Sequence, residues 1–112
     1  MAEKLASLIK GDKGTLISDT ISSTALSGWT TIKSVSVNSN KRYLVIFGVV
    51  FSDGTTNQYR GVQINTLNQT GVISTGANAS MSAIVNGVST IELKAYQGNG
   101  GTCTGTYQIL EV

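Results

Sequence analysis

Hydrophobic positions gather in one run, residues 43–51 (Tyr-Leu-Val-Ile-Phe-Gly-Val-Val-Phe), which holds no charged and no amide side chain. Polar segments bound it, Asn38-Ser39-Asn40-Lys41-Arg42 before and Ser52-Asp53-Gly54 after. The run is too short to cross a membrane and rich in β-branched and aromatic residues, so it predicts a buried strand. Side chains alternate along a strand, which sets Tyr43, Val45, Phe47, Val49 and Phe51 on one face and Leu44, Ile46 and Val50 on the other. An antiparallel sheet in a small protein usually leaves one face wet. Two apolar faces therefore predict packing against further copies of the chain, or a central strand whose outer face is well covered.

The pattern elsewhere is weaker but regular. Leu5, Leu8 and Ile9 stand at helical spacing within residues 2–10, followed by Lys10 and Gly11, which predicts a short N-terminal helix. So short a helix is marginal alone and must dock to persist, which marks residues 1–14 as an attachment segment and 15–112 as the folded domain. Strands are expected at 15–21, then a polar loop over 22–28, and at 29–37. There Ile32 is out of phase with Val35 and Val37, the mark of a bulge. Asp53-Gly54 predicts a tight hairpin with a return strand near 58–65, and 66–76 an exposed loop with a short strand at Val72-Ile73. Ala79, Met81, Ala83 and Val85 alternate with Asn78, Ser80 and Ser82, and Asn86-Gly87 is the strongest hairpin signal. Ile91, Leu93 and Ala95 then alternate with Glu92 and Lys94, Gly98-Asn99-Gly100-Gly101 turns the chain, and 102–112 is a closing strand. About eight strands at such spacing make the fold class all-β, a sandwich or barrel.

With 112 residues the chain fits one domain, and charged residues form 12% of it, about half the usual share of roughly 25%. Its polar surface must come from Ser, Thr, Asn and Gln. Eight Lys and Arg against six Asp and Glu leave a net charge of +2, with no basic stripe, which argues against nucleic acid as a partner. One cysteine, Cys103, excludes an intrachain disulfide. The N-terminal residues lack the pattern of a secretory signal, and no run approaches the ~20 apolar residues of a spanning helix, so soluble synthesis without membrane insertion is expected.

Composition also narrows the chemistry. The chain has no histidine, so serine and cysteine triads and His-based metal sites are absent, and no metal or cofactor is expected. Glu3, Asp12, Asp19, Asp53, Glu92 and Glu111 show no pairing of the kind that glycoside cleavage needs, and an enzyme is not expected. The segment Gly98-Asn99-Gly100-Gly101-Thr102-Cys103 lacks a phosphate-binding lysine and a following helix, so it reads as a hairpin loop. Amides, hydroxyls and an occasional ring suit sugar recognition. Asn57, Gln58, Tyr59, Asn65, Asn68 and Gln69, near expected strand ends and the long loop, are candidate ligand-binding positions. Each also serves to keep a low-charge surface wet.

Three phrases together resemble the C1q/TNF-like jelly-roll domains of phage fibre and bacterial collagen-like proteins. They are Trp29-Thr30-Thr31-Ile32-Lys33-Ser34-Val35-Ser36-Val37 leading to Tyr43-Leu44-Val45-Ile46; Tyr59-Arg60-Gly61-Val62-Gln63-Ile64; and Ala83-Ile84-Val85-Asn86-Gly87-Val88-Ser89-Thr90-Ile91-Glu92-Leu93-Lys94-Ala95-Tyr96-Gln97 with its Gly-rich loop and last strand. The resemblance implies a ten-strand-type jelly-roll β-sandwich assembled as a homotrimer. Phe47, Val49, Tyr96 and Tyr107 are the candidates for the trimer interface, and each reads equally as sandwich core. It further implies a non-enzymatic structural protein on a virion surface, made in the host cytoplasm, whose partners are virion proteins and a host-surface glycan or receptor. Within that reading the chain is a receptor-binding fibre head. A capsid decoration protein, or a lectin-like or cytokine-like binding module of a cell, is the alternative.

Overall fold

The computed structural model describes residues 16–52, 58–65, 67–73, 78–98 and 100–112, with the backbone path alone at residues 58 and 67–73. The chain forms eight strands among the described residues: β1 (Leu16–Ala25), β2 (Thr30–Ser36), β3 (Arg42–Phe51), β4 (Gln58–Ile64), β5 (Leu67–Ile73), β6 (Asn78–Asn86), β7 (Thr90–Gln97) and β8 (Thr102–Glu111). They make two antiparallel four-stranded sheets, ordered β1-β8-β3-β6 and β2-β7-β4-β5. This is a jelly roll, in which consecutive strands pass between two facing sheets. The ten strands implied by the resemblance are not seen among the described residues. The expected helix at 2–10, with Leu5, Leu8 and Ile9, lies outside them.

The alternation of each strand explains the core. From the first sheet Tyr43, Val45, Phe47, Val49 and Phe51 of β3 point inward with Cys103, Tyr107 and Ile109 of β8, and from the second Val62, Ile64, Ile91, Leu93 and Ala95 meet them. Ala79, Met81 and Ala83 of β6 are half-buried at the margin of this cluster. Burial pushes the pKa of the Cys103 thiol up, because a thiolate would be desolvated there. The expected bulge is present in β2, whose register slips between Thr31 and Lys33. A second slip, between Ile21 and Thr24, lets β1 run on to Ala25, so the loop expected over 22–28 is shorter.

Three expectations about hairpins are corrected. Strands β3 and β4, expected to pair around Asp53-Gly54, lie in different sheets, as do β6 and β7 on either side of Asn86-Gly87 and β7 and β8 around the Gly-rich turn. The turn chemistry itself is there at Gly87, with φ of 70°, but a reversal of the chain does not dictate which strand it pairs with. In this topology the reversed strand crosses to the opposite layer. The segment expected to be an exposed loop with a short strand contains β5, a full strand that, among the described residues, pairs only with β4. At an edge, a partner ladder sets the register of a sequence with little alternation of its own.

Antiparallel order puts four connections at one end of the sandwich: β1–β2, β3–β4, β5–β6 and β7–β8. The chain enters β1 and leaves β8 at the opposite end. There Lys41 binds Glu111 at 3.0 Å, and the Asn38 amide donates to the Tyr43 hydroxyl at 3.0 Å, closing the β2–β3 turn.

Candidate functional site

At the four-connection end, three aromatic side chains, from β4, β7 and the β1–β2 connection, meet on the outer face of the second sheet. Tyr96 is the next-to-last residue of β7, Tyr59 the second of β4, and Trp29 stands just before Thr30, which pairs with Ala95. Ring centroids of Trp29 and Tyr96 are 5.5 Å apart, tilted by 37°, and those of Tyr59 and Tyr96 are 5.6 Å apart at 80°, edge to face. Such spacings are in the favourable range for aromatic pairs. Register explains the meeting: Gly61 stands opposite Tyr96 and adds no side chain, so Tyr59, two residues earlier on the same face, reaches Tyr96 along the diagonal. Trp29 is held by a tight turn. Gly28 takes a φ of 65°, and the Thr30 hydroxyl accepts from the Ser27 amide at 2.9 Å while donating to the Ser27 carbonyl at 3.2 Å.

Directly beneath, on the inner side of the same two strands, Arg60 and Gln97 are buried opposite each other. Arg60 Nε donates to Gln97 Oε1 at 2.8 Å, and Gln97 Nε2 donates to the Gly100 carbonyl at 2.9 Å. The Arg60 guanidinium also lies 5.9 Å from the Phe51 ring centroid, within cation–π range. This network fixes the register of β4 against β7 and ties down the β7–β8 turn where the rings are displayed.

The other outer face, that of β1-β8-β3-β6, has a different character. Leu16, Leu110, Leu44 and Ile84 stand in one register row across all four strands. Ile46 and Val50 follow on β3, separated by Gly48. Leu16, Ile46, Val50 and Ile84 are 40–56% exposed in the single chain. Ser18, Thr20, Thr106 and Gln108 complete a shallow groove beside Ile46 and Gly48, with the exposed Asp19 at its β1 margin. The outer-facing rows of this sheet carry no charge until Arg42 at the far end.

The predicted positions are thus redistributed. Phe47, Val49 and Tyr107 are 0–3% exposed within one chain, so they form sandwich core and not a contact surface; the apolar surface of β3 is its other face, Leu44, Ile46 and Val50. Tyr96 is outward, in phase with Glu92 and Lys94. Tyr59 belongs to the aromatic cluster. Asn65 is at the opposite end, with φ of 53°, where its side chain accepts from the Glu92 amide at 2.7 Å and donates to the Thr90 carbonyl at 3.3 Å, clipping β4 to β7. Asn57 and the side chains of Gln58, Asn68 and Gln69 lie outside the described residues. By backbone position Asn68 and Gln69 pair with Gln63 and Val62, toward the Asn65 end, so the six do not form one site. Trp29 was missed, although a lone tryptophan after Gly28 in a polar stretch is a visible signal.

No protein-family model and no curated protein matches the chain. Among solved structures, the fold superposes on a protein of the T13 particle of infectious bursal disease virus with a TM-score of 0.60 at 12% identity, covering 91% of this chain and 32% of that one. VP2 of a subviral particle of the same virus matches with a TM-score of 0.58 at 10% identity, covering 89% and 33%. The chain spans about a third of the length of these proteins. At such identities the likeness is one of fold: the β-sandwich architecture is shared with proteins of a viral particle. The SPBc2 prophage-derived protein YomS matches over 88% of this chain and 95% of its own at 10% identity, with a TM-score of 0.43, too distant to bear on function.

Proposed function

We propose that this chain is a non-enzymatic virion surface protein of a phage, a homotrimeric jelly roll that serves as the head of a fibre and binds a host receptor or surface glycan. The observation that carries the reading is the outer face of β1-β8-β3-β6, an aliphatic row set among uncharged polar residues with charge only at its margins. Four strands at about 4.8 Å spacing and some ten residues at about 3.4 Å rise give it roughly 600 Å². That is on the scale of the ~800 Å² that each partner buries in a specific interface. A face whose charges, Arg42 and Asp19, stand at its margins meets its own copy with little repulsion, and a row of exposed aliphatic side chains within it marks an association surface. The fold shared with proteins of an infectious bursal disease virus particle supports a place in a virion, and the C1q/TNF-like resemblance supports the trimer. Topology supports polarity: the chain joins the sandwich at one end, next to the proposed attachment segment 1–14, and displays four connections at the other.

Light scattering after gel filtration tests this. A mass of about 35 kDa, three times 11.7 kDa, that persists on dilution to nanomolar concentration is the expected result. An 11.7 kDa monomer would remove the assembled fibre head. The second reading, a capsid decoration protein, draws on the same face, docked on a shell and not on a copy; retention on empty capsids by a chain that is monomeric in solution would select it.

A further inference from the structure

We infer that Trp29, Tyr59 and Tyr96 form a binding site for neutral pyranose sugars at the four-connection end of the second sheet; the inference rests on the receptor-binding reading above and names the ligand class and its place. The large exposed hydrophobics of the described residues sort by chemistry. Leu16, Ile46, Val50 and Ile84, all aliphatic, are on the first sheet's outer face, whereas Trp29 and Tyr59, 39% and 44% exposed, are on the second beside Tyr96. Aliphatic side chains offer a sugar only a dry surface. Aromatic rings offer a negative face to the C–H groups on one side of a pyranose, and tyrosine hydroxyls and neighbouring polar groups can take up its rim of hydroxyls.

The surroundings favour an uncharged ligand. The next register row along the sheet holds Thr31 and Lys94, and the Lys94 ammonium is 3.9 Å from Glu92, so this part of the face offers an acidic sugar no unbalanced positive charge. The rings are also set up before any ligand arrives. Gly28 and Thr30 fix the turn that carries Trp29, and Arg60 and Gln97 lock the register under Tyr59 and Tyr96. A site assembled from two strands and one tight turn on a locked scaffold binds with little ordering cost.

Trp29 is the single tryptophan of the chain, so its fluorescence reports on the site directly. The full chain is titrated with maltohexaose, cellohexaose, chitohexaose and laminarihexaose. The expected result is a saturable change in Trp29 emission with at least one of the four, weakened about tenfold by Tyr96→Ala when affinity is read by calorimetry. Tyr59→Ala, at a more exposed ring, gives a second variant should Tyr96→Ala fail to fold, and it too is expected to weaken binding. Four blank titrations would overturn the inference, as would binding that leaves Trp29 emission unchanged or is indifferent to loss of both tyrosines. The mass measurement above is independent of these titrations, so a blank result removes the sugar site while leaving the assembly to stand or fall by itself.

Discussion

Arg60 and Gln97 face each other in the sandwich interior, joined by a 2.8 Å hydrogen bond, and the residues before them, Tyr59 and Tyr96, meet along the diagonal on the outer face. One register therefore sets both the buried polar pair and the exposed aromatic pair. Gln97→Ala removes a partner from a buried guanidinium and one of the two bonds between residues 97 and 100, leaving the backbone bond from Gly100 N to the residue 97 carbonyl. The expected cost is about 1.5–3 kcal/mol, read from urea denaturation. Tyr59 and Tyr96 should lose their fixed geometry at the same time, seen as a weaker aromatic circular dichroism signal.

Two glycines on neighbouring strands should differ in their response to alanine. A Cβ on Gly105 would meet the Gly48 carbonyl oxygen at 2.9 Å, with Val49 Cγ1 at 3.2 Å and Ile21 Cδ1 at 3.3 Å. Backbone cannot step aside there, so Gly105→Ala is expected to cost about 1–3 kcal/mol. On Gly48 the nearest atom is Ser80 Cβ at 3.5 Å, an ordinary contact, and Gly48→Ala should leave the thermal midpoint nearly unchanged. Calorimetry of the two variants side by side checks the contrast.

Ile46→Lys with Ile84→Lys places two like charges on the aliphatic outer face. Both positions are about half exposed in the single chain, so the fold should hold, with a change in unfolding free energy of about 0.5 kcal/mol or less for each. The assembled mass is expected to fall to that of one chain in light scattering.

Cys103 ties stability to alkaline pH. Because burial raises its pKa, the folded chain keeps the neutral thiol where the unfolded chain, with an ordinary value of about 8.5, already ionises. Its contribution is whole below the unfolded-state pKa and is lost as pH rises through the folded value. Unfolding free energy should therefore decline above about pH 8.5 more steeply in the native sequence than in Cys103→Ala. A thiol probe should react slowly with the native chain and quickly in denaturant.

The layers of this fold were legible where one face is buried and the other wet. In β6 and β7 the alternation of Ala79, Met81, Ala83 and Val85, and of Ile91, Leu93 and Ala95, matches the observed burial residue by residue. The same alternation was enough to place Tyr96 outward with Glu92 and Lys94, against its reading as sandwich core. Strand pairing was not legible, because Asp53-Gly54 and Asn86-Gly87 encode chain reversal while partner choice is decided by strands far along the chain. β5 was hidden for a related reason: an edge strand borrows its register from β4. The aromatic cluster joins Trp29, Tyr59 and Tyr96 across nearly seventy positions, a proximity that only the sheet order creates.

That sheet order has a consequence for biosynthesis. β8 lies between β1 and β3, so the last of the eight described strands to be synthesised is an interior strand of the first sheet. Until it arrives, β1 has no partner and β3 can pair only with β6, leaving one of its edges bare. Among the described residues, only the ladder of β4 with β5 joins strands adjacent along the chain. Closure must wait for the whole domain, in the slow, non-local regime of about milliseconds to seconds typical of β-sandwiches. During that interval the run 43–51 is the segment most open to mispairing between nascent chains. Loss of the C-terminal strand would therefore not shorten the protein but prevent it from forming.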